Sequence, residues 1–273
     1  VNLDTKTDKA YSKRTGEELV VKIEKMSKSK NNGVDPEVIV KEYGADSARV
    51  FSLFAAPPEK ELEWNMNGLA GAYRFLNRLF LLIEDTKEFS EAGEIDHGKR
   101  NNEDSEIQKK LHQTVKKVSE SMEDNFHFNT AIAALMELLN DMTSYRQKVI
   151  DTGKISSESK KIWREVMEKT VLMLSPFAPH IADELWAASG REGYAFLESW
   201  PEYIEELTKE SKINLVVQVN GKLRDTILAD VNIPKEELEK IALASEKAQK
   251  FLEGKEIVKV VVVPNKLVNI VVK

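Results

Sequence analysis

A run of lysines and serines near the start of the sequence is the part best suited to chemistry. It consists of Lys25, Met26, Ser27, Lys28 and Ser29, and a further lysine follows at once. Ammonium and hydroxyl groups are the donors that a polyphosphate requires, and a loop can tighten its contacts as charge develops in a transition state. The simpler alternative is a solvated surface loop, and five residues alone leave both open.

The residues on either side predict how this loop is held. Glu18–Ile23 is rich in apolar and β-branched residues, which predicts a short strand that delivers the loop. Asn31–Gly33 tolerates unusual backbone angles. Asp35 and Pro36 have the residue types of an N-cap and a first helical position, and Gly44 is expected to end that helix.

Apolar residues recur every three or four positions between residues 67 and 188, which predicts an antiparallel bundle of five helices. Asn67 and Asn129 have the residue type of N-caps, and Tyr73 is expected to face the core. The predicted helices are Asn67–Ile83, Ser105–Asn125, Asn129–Ile150, Ser157 or Ser159 to Leu174, and His180–Ala188.

The apolar period changes from 3.6 to 2 after an acidic helix expected near residues 202–210. Ile213–Val219 and Lys222–Leu228 flank Asn220-Gly221, a pair typical of a type I′ hairpin turn. A helix over Pro234–Leu252 and two further strands complete the pattern. The sequence therefore predicts a mainly α protein with three parts: an α/β segment at 1–66, a helical bundle at 67–210 and a small α/β domain at 211–273.

Composition limits the classes of function. The formal net charge is −6, with 40 Lys and Arg against 46 Asp and Glu, whereas Lys212–Lys273 holds eleven against eight and is basic. A basic module on an acidic body is compatible with RNA contact. The absence of cysteine excludes disulfides and thiolate metal sites and fits a cytoplasmic protein. No apolar run has membrane-spanning length, and the four histidines show no metal-ligand spacing, so we expect no membrane association and no metal site.

Several stretches together resemble one family. KMSKS is the nucleotide-side signature of class I aminoacyl-tRNA synthetases, and KMSKSKNNGVDP, Tyr43–Arg49 and Pro57–Trp64 resemble bacterial-type leucyl-tRNA synthetase. The resemblance continues through Gly71–Phe80, Phe128–Asn140, Leu174–Trp186 and Val217–Ile227. Valyl and isoleucyl enzymes typically carry Gly-Asn where this chain has Asn31–Gly33; they remain the alternative within the class.

The resemblance implies roles for the loop. Lys25 and Lys28 would stabilise the phosphates of ATP, bound with magnesium, as leucine attacks the α-phosphorus, and Lys28 would contribute more. Ser27 and Ser29 would hold the loop and donate hydrogen bonds. Met26 would belong to this ATP-binding loop and anchor it against the catalytic domain, although ordinary packing is at least as good an explanation for this residue as a contact with ATP.

The resemblance also implies contacts with tRNA(Leu). The first 66 residues would form the stem-contact module, followed by an anticodon-binding-like bundle and a C-terminal tRNA-binding domain. Arg74 and Arg78 would contact phosphates at the inner corner of the tRNA, and Lys222 and Arg224 would act at its outer corner; solvated surface cations are the alternative. Asp46 and Arg49 have the spacing of an i, i+3 ion pair.

Three parts of a complete synthetase have no counterpart in the sequence: the nucleotide-binding fold, the HIGH-type motif and the editing insertion. We therefore expect an amino-terminal catalytic portion as partner, through which leucine and ATP are supplied, and no activity from this chain alone. The chain would be a cut piece or a separate subunit, and its start at Val1 favours a piece. A stand-alone tRNA-binding module is the alternative function.

Overall fold

Ten α-helices and seven strands occur in the part of the chain that the computed structural model describes, namely residues 2–4, 9–123, 126–153, 155–209, 212–231 and 233–273. The helices are α1 Pro36–Tyr43, α2 Ala45–Ala55, α3 Met66–Thr86, α4 Asn102–Glu123, α5 Phe128–Tyr145, α6 Ser157–Leu174, α7 Pro179–Ala188, α8 Glu205–Thr208, α9 Lys235–Leu243 and α10 Glu246–Gln249. The strands are β1 Asn2–Asp4, β2 Lys9–Tyr11, β3 Glu18–Leu19, β4 Lys212–Val219, β5 Lys222–Asp230, β6 Ile257–Val263 and β7 Leu267–Val272.

The chain divides into two compact units, Val1–Leu207 and Thr208–Lys273, each with its own apolar core. The first unit is mainly helical and begins with the small sheet β1-β2-β3, and the second combines four strands with short helices. This is the mainly α architecture, with a bundle and a small α/β part, that the change of apolar period predicts.

Apolar faces of α2 to α7 form the core of the first unit. On α4, Ile107, Leu111, Val115 and Val118 are all buried, as their spacing of three and four predicts. Trp163 on α6 is the largest fully buried side chain; its ring stacks on Tyr145, and its Nε1 donates to Thr86 Oγ1 at 3.1 Å. The aromatic residues thus join α3, α5 and α6 with their polar atoms satisfied.

Two of the predicted N-caps are wrong. Helix α3 begins at Met66, and Asn65 Oδ1 accepts from the backbone N–H groups of Asn67 and Gly68. Helix α5 begins at Phe128, so Asn129 lies inside it. Each asparagine that we expected to cap a helix has a neighbour that starts the helix earlier, and sequence spacing alone does not distinguish adjacent capping positions.

Several other element boundaries differ from the prediction. Helix α5 ends at Tyr145, and Arg146–Ile150 continues as a π-helical turn. Tyr73 is 40% exposed and its ring meets that of Tyr43 edge-on, so it does not face the core. The predicted end of the helix at Asn125 lies outside the described residues.

The strand expected over Glu18–Ile23 is shorter than predicted. β3 pairs with β2 only through Leu19 with Ala10 and Glu18 with Tyr11, and no regular structure follows until the turn at Lys28. In this register Val20 would lie opposite Lys9, but the pairing ends before that position. The segment from Val20 to the loop is therefore extended and unpaired with other strands in the described region.

The second unit contains a mixed sheet with the order β5-β4-β7-β6, in which β4 and β7 are parallel. Asn220 and Gly221 both have positive φ, 50° and 75°, as a type I′ turn requires. The prediction of one continuous helix over Pro234–Leu252 is wrong, because the structure has two shorter helices there, α9 and α10. Ser245 Oγ accepts from Ala248 N–H and donates to Asp225 Oδ2 at 2.6 Å, so its hydroxyl starts a new helix.

Candidate functional site

The Lys25–Ser29 loop is built around a single turn of 3-10 helix. The turn spans Lys28–Lys30, and Ser27 Oγ accepts a hydrogen bond from the Lys30 N–H at 3.3 Å. Asn31 ends the turn with φ 54°, in the left-handed region that asparagine tolerates better than most residues. The loop therefore has a defined local shape, although no helix or strand encloses it.

The side chain of Asn32 fastens the start of this loop. Its Oδ1 accepts from the Ser27 N–H at 2.8 Å, and its Nδ2 donates to the Lys25 carbonyl at 3.3 Å. The sequence indicated only that this asparagine permits a turn. Its amide in fact satisfies two backbone groups, which holds the backbone on both sides of Met26.

Two of the three loop lysines have unengaged ammonium groups. Lys30 Nζ lies 2.7 Å from Glu24 Oε2, whereas Lys25 and Lys28 are exposed and form no ion pair with any described residue. The hydroxyls of Ser27 and Ser29 are 3.3 Å apart. Lys25 and Lys28 are therefore the cations of this loop that remain available to an anionic ligand, with two hydroxyls beside them.

An uncovered apolar segment precedes the loop. Val20, Val21 and Ile23 are 83%, 63% and 79% exposed, and Met26 is also exposed. A soluble surface normally leaves few such neighbouring side chains in water, and a contiguous set marks an interaction surface. Met26 is 42% exposed and is not among the described residues that pack against either apolar core.

Arg74 and Arg78 occupy one exposed row of α3. Arg78 Nη2 donates to Asn140 Oδ1 on α5 at 3.2 Å, and the Arg74 side chain is exposed. Because residues four apart lie on the same helix face, the two guanidinium groups share that face. Neither forms an ion pair with a described residue, which leaves both charges open to phosphate contact.

The predicted ion pair between Asp46 and Arg49 is wrong. Asp46 is buried; its Oδ1 lies 2.8 Å from His180 Nδ1, and its Oδ2 accepts from the Ile181 N–H at 2.8 Å. Arg49 Nη2 instead donates to the Pro176 carbonyl at 3.3 Å. Both side chains therefore tie α2 to the start of α7. A pairing between residues more than a hundred positions apart has no signal in a single sequence.

In the second unit, Lys222 and Arg224 have different surroundings. Lys222 is exposed beside the hairpin turn. The Arg224 guanidinium lies 3.7 Å from the ring centroid of Phe251, and its Nε is buried with no hydrogen-bond partner among the described residues. The stack holds Arg224 against the unit. Arg224 therefore has a packing role that its place beside the turn did not predict.

Within the described residues, no group of three or more His, Cys, Asp or Glu side chains is arranged to hold a metal ion. No helix in that part of the chain is both long and apolar enough to span a membrane.

Comparison with family models now defines the class. Residues 104–242, just over half of the chain, match the anticodon-binding domain of tRNA ligase, and residues 10–65 match the tRNA synthetases class I (I, L, M and V). The second match contains the whole Lys25–Ser29 loop. The chain belongs to the family of the anticodon-binding domain of tRNA ligases.

Within that class, its homologues are leucine–tRNA ligases. The chain is 50% identical to that of Fusobacterium nucleatum over 270 residues, which is 98% of this chain and 31% of the relative. It is 46% identical to that of Thioalkalivibrio sulfidiphilus over 249 residues, or 91% of this chain and 30% of the relative. The chain thus spans about a third of these relatives and corresponds to a C-terminal portion.

A solved structure agrees with the sequence relatives. The LeuRS of Agrobacterium radiobacter K84, in a ternary LeuRS–tRNA–LeuAMS complex, superposes with a TM-score of 0.71 at 34% identity. The match covers 91% of this chain and 31% of that one. These relatives and this structure are leucyl enzymes, the family that the residues after the loop predicted.

Proposed function

We propose that the chain supplies the nucleotide-side loop and the tRNA-binding parts of a class I leucine–tRNA ligase. The complete enzyme would activate leucine with ATP and transfer it to tRNA(Leu), in the cytoplasm. The observation that carries this proposal is the exposed Lys25–Ser29 loop, whose Lys25 and Lys28 ammonium groups have no partner among the described residues. Its place inside the match to class I tRNA synthetases supports it.

The loop would act by electrostatic stabilisation. As the leucine carboxylate attacks the α-phosphorus, negative charge moves onto the departing pyrophosphate, and Lys25 and Lys28 would balance it. Ser27 and Ser29 hydroxyls would donate to phosphate oxygens, and Lys28, which belongs to the 3-10 turn, would contribute most. Magnesium would enter with ATP, because the described part of this chain offers no cluster of ligands for it.

The uncovered segment before the loop indicates where an amino-terminal catalytic portion would dock. Val20, Val21 and Ile23 expose apolar side chains that burial against a partner would stabilise by roughly 25 cal/mol for each Å² removed from water. Docking there would also bring Met26 against the partner. The loop would then be presented to ATP held by that portion.

Pyrophosphate exchange tests the proposal. The chain should show no leucine-dependent exchange by itself, and exchange should appear when it is fused to the N-terminal portion of the Fusobacterium nucleatum relative. In that fusion, Lys28→Ala should lower kcat by about 10² to 10³, the usual cost of removing one aimed donor.

Lys30→Ala is the matched control in the same loop. Its ammonium is already paired with Glu24, so the loss of rate should be under about tenfold. Exchange by the isolated chain would show that the site needs no partner. A fusion that folds and binds tRNA but shows no leucine-dependent exchange would instead favour a stand-alone tRNA-binding module with an idle loop. An active fusion that is indifferent to Lys28→Ala would contradict the role of Lys28.

A further inference from the structure

A solvent-open cavity of about 340 Å³ lies in the first unit where α2, α3 and α7 meet. Its lining includes the rings of Tyr43 and Tyr73, the amide of Asn77 and the imidazole of His180, together with Asp46. Pockets of about 300–1,000 Å³ with aromatic walls and a few placed polar groups are typical small-ligand sites. The loop lysines and the tail cations do not belong to it.

The buried carboxylate of Asp46 fixes the imidazole of His180. Asp46 is 5% exposed, whereas the His180 side chain is 76% exposed, and Oδ1 to Nδ1 is 2.8 Å. Since a carboxylate can only accept, the ring hydrogen lies on Nδ1. The second carboxylate oxygen is held by the Ile181 N–H, so Asp46 cannot turn away without losing two hydrogen bonds.

This arrangement gives His180 Nε2 a defined chemical character. In the neutral form of the ring, hydrogen on Nδ1 leaves a lone pair at Nε2 on the exposed side, and that lone pair accepts from a donor of the ligand. Phosphate oxygens of RNA only accept. The donors that RNA can offer are the N–H groups of its bases and the ribose 2′-hydroxyl, which also distinguishes RNA from DNA.

The walls of the cavity suit a nucleoside as well. Tyr73 is 40% exposed, and its ring meets that of Tyr43 edge-on with centroids 5.7 Å apart, so the cavity has a partly exposed aromatic ring on which a base can stack. Arg74 and Arg78 are exposed on the same helix α3 but do not line the cavity, and Arg78 Nη2 donates to Asn140 Oδ1 on α5.

We propose that this cavity is a ribonucleotide subsite, in which one ribose 2′-hydroxyl donates to His180 Nε2 while the attached nucleoside packs against Tyr73. The subsite rests on the proposed tRNA binding and adds a single point at which the chain recognises ribose. Asp46 is the positioning residue, because it acts through His180.

Interference mapping with the full chain tests this directly. A tRNA(Leu) transcript carrying scattered 2′-deoxy substitutions is bound to the protein, and the bound and free pools are compared position by position. With the parent chain, 2′-deoxy substitution should be depleted from the bound pool at one position. With His180→Ala, substitution at that position should no longer affect binding. Loss of one neutral hydrogen bond should weaken binding of the unmodified transcript about 2- to 10-fold.

His97→Ala is the matched control, because it removes another exposed imidazole from the same unit and should keep the interference pattern. His180→Gln, which retains an acceptor, should restore part of it. An unchanged pattern in His180→Ala, with tRNA still bound, would overturn the subsite alone. A parent chain that binds no tRNA at low salt would instead overturn the proposed function and the subsite with it.

Discussion

Glu165 is the most perturbed carboxylate in the helical unit, and its surroundings show how single residues connect helices. It lies on α6, with Oε1 3.4 Å from His112 Nε2 and 2.9 Å from Lys169 Nζ, and Oε2 accepts from Gln108 Nε2 at 2.8 Å. Burial alone would raise its pKa, but these contacts outweigh burial and lower the pKa to about 2. The carboxylate therefore stabilises the fold while it is ionised.

Glu165→Gln should consequently change how stability depends on pH. The folded pKa is about 2 and the ordinary value is 4.5, so the stabilisation is complete above pH 4.5 and disappears as pH falls toward 2. It amounts to at most about 3 kcal/mol. Urea unfolding should show the largest difference between parent and variant near pH 6 and almost none near pH 2.

The exposed Glu106 on α4 supplies the control for this experiment. Glu106→Gln removes the same charge from a side chain in water and should leave the pH dependence of unfolding close to that of the parent. A gap between parent and Glu165→Gln that stays constant from pH 6 to pH 2 would contradict the assignment. It would mean that packing, rather than ionisation, accounts for the effect.

Residues whose partners are near in sequence were easier to predict than residues with distant partners. The exposure of Lys25 and Lys28 and the cap made by Asp35 depend on neighbours within a few positions. His180 depends on Asp46, and Glu165 depends on His112. A single sequence does not show which distant positions are in contact, so the cavity beside His180 could not be inferred from it.

At the scale of elements, Gly68 sets how closely α2 and α3 approach. A Cβ added at Gly68 would lie 2.8 Å from Phe51 Cε2, and Phe51 is buried at 2% exposure. Gly71, one turn along the same helix, would meet only the tip of Arg74 at 4.0 Å. The sequence gives no reason to treat the two glycines differently. Only the packing of α2 against α3 shows that Gly68 is crowded and Gly71 is not.

Alanine at these two positions should act in opposite directions. Gly71→Ala should raise the free energy of unfolding by about 0.5–1 kcal/mol, through helix propensity. Gly68→Ala gains the same propensity but forces the ring of Phe51 to move, and overpacking costs about 1–3 kcal/mol. Denaturant unfolding of the two variants should therefore give changes in the free energy of unfolding of opposite sign. Equal stabilisation would mean that Phe51 and α2 move aside at no cost.

Element types were predicted well, and their ends poorly, for a physical reason. The apolar period identifies a buried face, which is why the bundle helices and the hairpin were expected where they occur. Ends depend on single hydrogen bonds, such as those that backbone N–H groups donate to the side-chain oxygens of Asn65 and Ser245. Several residues of similar type stand nearby, and tertiary contacts such as Ser245 with Asp225 decide among them.

At the scale of the whole molecule, charge is divided unevenly between the parts. The net charge is −6, yet the last 62 residues, Lys212–Lys273, are basic. In the first unit, α3 carries the exposed Arg74 and Arg78. An acidic protein with separate basic surfaces should bind a polyanion through those surfaces and repel it elsewhere, which gives orientation as well as affinity.

Binding of tRNA(Leu) should therefore weaken steeply with salt. If the chain neutralises several phosphates, log Kd should rise linearly with log salt concentration, with a slope that counts those contacts. Lys222→Glu should weaken binding and reduce the slope by about one or two, because an exposed cation becomes an anion. The test is filter binding at salt concentrations from about 50 to 200 mM, the range over which such slopes are commonly measured.

The choice of variants follows from the surroundings of the two hairpin cations. Arg224→Glu would also remove the stack on Phe251, so a loss of binding in that variant has two causes unless the second unit is shown to stay folded. Lys222 is exposed and avoids this difficulty, and Lys255→Glu makes the same charge reversal at an exposed lysine outside the hairpin. If Lys222→Glu and Lys255→Glu weaken binding equally, the second unit acts only through its total charge. If only Lys222→Glu changes the slope of log Kd against log salt concentration, the hairpin contacts a phosphate. If the Kd of the parent chain does not change with salt, electrostatic binding by this chain is excluded.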